Sequence, residues 1–101
     1  MTAKQEAVIE VKQIGQSDPL AFKVAVREGV GETHHNVTMS RADYERLANG
    51  AFPPARCVEA AFRFLLDREP KEAILSRFDV SAISRYFPEF EAELPRYIAG
   101  G

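Results

Sequence analysis

The chain has little of several things that would mark its function. It holds a single cysteine, Cys57, among 101 residues. One thiol makes no intrachain disulfide, so nothing demands an oxidising compartment. Long apolar runs are missing: the longest reach three residues, as in Phe64-Leu65-Leu66, where a membrane-crossing helix needs roughly 20. The opening Met1-Thr2-Ala3-Lys4-Gln5-Glu6 lacks the apolar stretch of a secretory signal. The cytoplasm is therefore the expected location.

An excess of charge is missing too. Lys and Arg total 13 and Asp and Glu total 15, for a net charge of −2. Residues 1–50 hold 6 basic and 7 acidic side chains, and residues 51–101 hold 7 and 8. Nucleic-acid binders draw much of their affinity from neutralising phosphates, so this balance argues against a nucleic-acid partner and against an electrostatic membrane anchor. There is no Walker loop, no G-x-G-x-x-G, no G-x-S-x-G and no H-E-x-x-H. No cofactor and no metal is expected.

What is present is the patterning of one small α+β domain over residues 1–101: strands in 1–39, helices in 40–95, and a tail at 96–101 expected to fray. In the first strand Ala7, Ile9 and Val11 share a face. Gly15-Gln16-Ser17-Asp18-Pro19 is a turn cluster. Leu20, Phe22, Val24 and Val26 then alternate with Ala21, Lys23, Ala25 and Arg27, the period-2 signature of a sheet buried on one side. Gly29-Val30-Gly31 reads as a turn, and His35, Val37 and Met39 line one side of a third strand. Short connections favour a three-stranded antiparallel sheet, because parallel pairing needs a long crossover.

Helices are expected to follow and to pack on one sheet face. Ser40 and Asp43 form a capping-box-like start, and Asn49-Gly50 is a stop signal. Pro53-Pro54 opens a second helix in which Val58, Ala61, Phe62, Leu65 and Leu66 keep the i, i+3, i+4, i+7, i+8 spacing. Pro70 is expected to begin a third helix carrying Ile74, Leu75 and Phe78. Asp79 can cap a fourth bearing Val80, Ile83 and Phe87, and a last amphipathic turn holds Phe90 and Leu94 before Pro95.

Three readings of function follow. The leading one is a non-enzymatic interaction module, with a homodimer or another protein as partner. Its candidate surface is Arg85, Tyr86, Phe87, Phe90 and Tyr97, because aromatic residues and arginine are enriched where proteins dock. The second is a DNA-associated regulator, in which residues 72–86 supply a helix-turn-helix-like pair; the early Ile83, Pro88 and the acidic Glu89–Glu93 stretch weigh against it. The third is a small enzyme or metal protein using Cys57 with His34 or His35. A helix N-terminus lowers a thiol pKa. Adjacent histidines on a strand point to opposite faces, so they cannot chelate one ion together. Asp67, Arg68, Glu69, Lys71 and Glu72 read as a solvated, mutually neutralising surface.

The segments Phe64–Leu75 (FLLDREPKEAIL) and Ile83–Phe90 (ISRYFPEF) resemble small bacterial proteins catalogued as uncharacterised. The resemblance implies a bacterial cytoplasmic origin and carries no activity and no site residue.

Overall fold

A computed structural model of the chain describes residues 7–48 and 51–100. Glu6, the Asn49-Gly50 stop signal and Gly101 lie outside the described residues. Three strands come first: β1 (Val8–Gly15), β2 (Leu20–Arg27) and β3 (Glu32–Met39). β2 pairs antiparallel with both neighbours, with Val24 opposite Val11 on one side and His35 on the other. Leu20, Phe22, Val24 and Val26 are all buried, as are His35, Val37 and Met39. The alternation read from the sequence thus sorts each strand into an inner and an outer face. Gly29 and Gly31 both adopt positive φ, at 70° and 86°. That left-handed region suits glycine, so the β2–β3 loop needs both.

Helix α2 (Pro54–Leu66) packs on the sheet, and α1 (Arg41–Ala48) packs against α2. The Ser40 hydroxyl accepts from the Asp43 N–H at 3.0 Å, which serves one of the orphan donors of the first turn. The Asp43 carboxylate does not reach back; it takes the Arg46 guanidinium at 2.9 Å. Along α2, Val58, Ala61, Phe62, Phe64 and Leu65 are buried. Phe62 lies against His35 and Phe78, with ring centroids 5.2 and 5.8 Å away.

The sheet is larger than expected. A fourth strand, β4 (Arg77–Asp79), pairs parallel with β3, giving a mixed sheet in the order β1-β2-β3-β4. The helix expected from Pro70 is absent. Lys71–Ala73 forms one 3₁₀ turn, and the chain then extends into β4. The reason is the crossover: the α1–α2 connection is long enough to return the chain parallel to β3. The Asn36 N–H donates to the Ser76 carbonyl at 2.8 Å, Thr38 donates to the Asp79 carboxylate at 2.6 Å, and Ile74 turns into the core.

Asp79 then caps the next turn, accepting from the Ser81 N–H at 3.0 Å. A 3₁₀ turn, Val80–Ala82, runs into α3 (Ile83–Tyr86). The last helix, α4 (Phe90–Gly100), passes through Pro95 and includes residues expected to fray. Buried Phe90, Leu94 and Ile98 recur every four residues on its inner side. Arg56 of α2 donates to the Ile98 carbonyl at 2.8 Å and holds the tail down.

Lys71 also departs from its expected solvated position. It is 4% exposed, and its ammonium donates to the Glu28 and Val30 carbonyls at 2.9 and 3.0 Å and to the Glu72 carboxylate at 2.7 Å. It fastens the β2–β3 loop to the segment after α2.

Candidate functional site

The C-terminal aromatics divide according to how they meet Phe64. Phe64 is buried on α2, and Phe87, Phe90 and Tyr97 set their rings edge-on to it at centroid distances of 5.9, 5.1 and 5.8 Å. Such edge-to-face pairs add stability beyond their buried area. The Arg68 guanidinium lies 3.7 Å over the same ring and binds Glu89 at 2.9 Å. The Tyr97 hydroxyl donates to Asp67. That hydrogen bond, with burial second, pushes the phenol above its ordinary value. Phe90, proposed for the surface, is only 1% exposed and belongs to the core. Phe87 and Tyr97 are half-buried, while Arg85 and Tyr86 are exposed, Tyr86 at 70%.

Tyr86 and Phe87 border an apolar cleft of about 200 Å³. Its other walls are Leu65 from the end of α2, Leu75 before β4, Phe78 in β4 and Ile83 in α3. Leu75, 52% exposed, stands at its margin. A single carboxylate, Glu69, also lines it, and burial raises that carboxyl above its ordinary value. A dry cavity of roughly 150 Å³ takes a benzene-sized ligand, so this cleft has room for one aromatic or branched aliphatic side chain. The aromatic surplus led the sequence reading to Tyr86 and Phe87 but passed over Glu69 and Leu75. The Ile74-Leu75 pair held the signal: in extended chain, neighbours face opposite ways, so with Ile74 inside Leu75 must point out.

The residues proposed for chemistry are not assembled. His34 lies on the outer sheet face, 2.9 Å from the Glu32 carboxylate. His35 points inward. Its Nδ1 donates to the Leu75 carbonyl at 2.7 Å, and its Nε2 lies 2.9 Å from the Thr33 hydroxyl. A carbonyl only accepts, so Nδ1 carries the proton. Cys57 is buried in α2, and desolvation pushes its thiol up to about 11. Among the described residues, no group of three or more His, Cys, Asp and Glu could hold a metal ion. Residues 72–86 do not form a helix-turn-helix pair, because the first helix is replaced by a 3₁₀ turn and β4. No helix among the described residues is long and apolar enough to cross a membrane.

No protein-family model matches the chain, and no curated protein or solved structure shows significant similarity to it.

Proposed function

We propose that this chain is a non-enzymatic interaction module of the cytoplasm, and that the Leu75–Tyr86 cleft receives a short segment of a partner protein. The carrying observation is one carboxylate in an otherwise apolar cleft with two large apolar side chains standing exposed at its margin. A concave, mostly apolar cleft that carries a single polar group has the usual make-up of a binding site. The Glu69 carboxylate defines the occupant: an apolar side chain beside a basic one. The apolar group fills the cleft, and the cation offsets the partial desolvation that raises the Glu69 carboxyl. Anchoring by one side chain in a pocket, with a charged neighbour setting register, is a common form of peptide recognition.

The test uses capped dipeptides and amide-resolved NMR of the full chain. Acetyl-Leu-Lys-amide is expected to shift the resonances of Leu75, Phe78, Ala82 and Tyr86, and acetyl-Leu-Glu-amide to shift them less. The preference for lysine should disappear in Glu69→Gln while the apolar contact persists. Shifts scattered over the surface, or none in the cleft at solubility-limited peptide, would overturn the reading.

A further inference from the structure

At the opposite edge of the sheet lies a second incomplete surface. β1 is an edge strand of eight residues, and among the described residues nothing pairs with its outer side. Two of the exposed large apolar side chains sit on it, Val8 at 45% and Ile14 at 50%. On the inner face, Ile9 and Val11 are only partly buried, whereas their β2 neighbours Val24 and Val26 are fully covered. The core is therefore unfinished at β1. A bulge at Ile14, between the Gln13–Phe22 and Gly15–Ala21 pairs, interrupts the ladder near the end of the strand; the regular run Val8–Gln13 presents backbone groups that readily pair with another strand unless something covers them.

The sequence of β1 is complementary to itself when reversed. A two-fold axis perpendicular to the sheet pairs the strand antiparallel with its copy and keeps each face continuous. Only residues of the same face can then oppose each other. Centred on Val11, the register sets Glu10 opposite Lys12 of the copy and Val11 opposite Val11, and brings Val8 beside Ile14 at the bulge. Centred on Glu10 or on Lys12, it sets like charges face to face, which disfavours pairing. Within one protomer Lys12 already lies directly across from Lys23. A second copy would bring the Glu10 carboxylate, which lies 3.6 Å from Arg27 in its own protomer, beside that pair of like charges, and would set the two exposed apolar residues side by side.

We infer that the chain forms a two-fold homodimer through antiparallel β1–β1 pairing in the Val11-centred register, extending the sheet to eight strands. This interface stands apart from the cleft, which includes Phe78 of the other edge strand, and does not depend on the binding reading above.

Sedimentation velocity over a concentration series of the full chain tests it. The wild type is expected to move from monomer to dimer. Lys12→Glu turns both symmetry-related pairs repulsive and should raise the dimer Kd roughly tenfold or more. It also places a carboxylate across from Lys23, so the monomer fold should be retained, with circular dichroism as the check. The double exchange Glu10→Lys with Lys12→Glu restores opposite charges across the axis and should restore the dimer. In the wild type alone, β1 amides should exchange more slowly as protein concentration rises. A strict monomer at millimolar concentration would overturn the inference. So would a dimer indifferent to Lys12→Glu, or a folded double variant that stays monomeric. Leu75→Asp, which disables the cleft, should leave the dimer intact.

Discussion

Cys57 shows how burial overrides a local electrostatic effect. Its place in the first turn of α2 favours the thiolate, because the backbone N–H groups there carry positive partial charge. The thiol is nonetheless 1% exposed, and burial holds its pKa at about 11 against 9.0 for a solvated thiol. Those two figures imply about a hundredfold less thiolate at pH 8 from ionisation alone. Native protein mixed with a disulfide reagent such as Ellman's is expected to react at least that much more slowly than the denatured chain. Rapid stoichiometric labelling of folded protein would contradict this account of the site. Lys71 is the converse case. In the sequence it stands among charges that read as solvated surface, yet its ammonium is fully enclosed by the Glu28 and Val30 carbonyls and Glu72. Its two carbonyl partners lie more than forty residues away across the hairpin, a separation that no local pattern encodes.

At the scale of elements, period was legible wherever a segment ran for two or more turns or repeats. β2 shows its buried face residue by residue; along α2 Val58, Ala61, Phe62 and Leu65 are buried as the stripe predicts, while Leu66 is half-buried and Phe64, outside the stripe, is buried. β4 has three residues, too few for a period, and the spacing of Ile74, Leu75 and Phe78 imitates a helix stripe. What makes it a strand is tertiary: it borrows hydrogen bonds from β3 after a helical crossover. α4 passes through Pro95 because its buried residues and the Arg56 hydrogen bond to Ile98 outweigh the missing backbone N–H. Asp79 ties these parts together. Its carboxylate accepts from Thr38 on β3 and from the Ser81 N–H that starts the next turn. Burial pushes this carboxyl up, and the Thr38 and Ser81 hydrogen bonds with nearby Arg85 push it down harder, leaving it below the ordinary aspartate value. A depressed folded pKa contributes stability above the unfolded value and loses it as pH falls through the folded one. Asp79→Ala is therefore expected to cost about 1–2 kcal/mol in urea unfolding near neutral pH. The gap to wild type should narrow as acid protonates the carboxylate. A gap that stayed constant down to acid would mean the side chain acts by packing alone.

On the scale of the whole molecule, the two uncovered regions sit at opposite edges of one sheet, and they differ in how openly the sequence declares them. The β1 edge is written in order along the strand, in Val8, Glu10, Lys12 and Ile14. The cleft is assembled from α2, the segment before β4, β4 itself and α3, so its Phe78 wall depended on a strand that the sequence did not disclose. Glu69 is where binding and stability oppose each other there. Its folded pKa lies above the ordinary value because burial disfavours the ion. The folded chain thus holds its proton to higher pH than the unfolded chain, and stability falls as pH rises from the unfolded value through the folded one. Glu69→Gln removes that penalty. It should unfold at higher urea than wild type at pH 7, and the difference should vanish below about pH 4, where an unfolded glutamate is itself neutral. The same variant should lose the preference for a basic neighbour in the dipeptide titration, as expected when a group retained for binding is held at some cost to the fold. If Glu69→Gln lowered stability at pH 7, the carboxylate would instead be a structural partner within the chain.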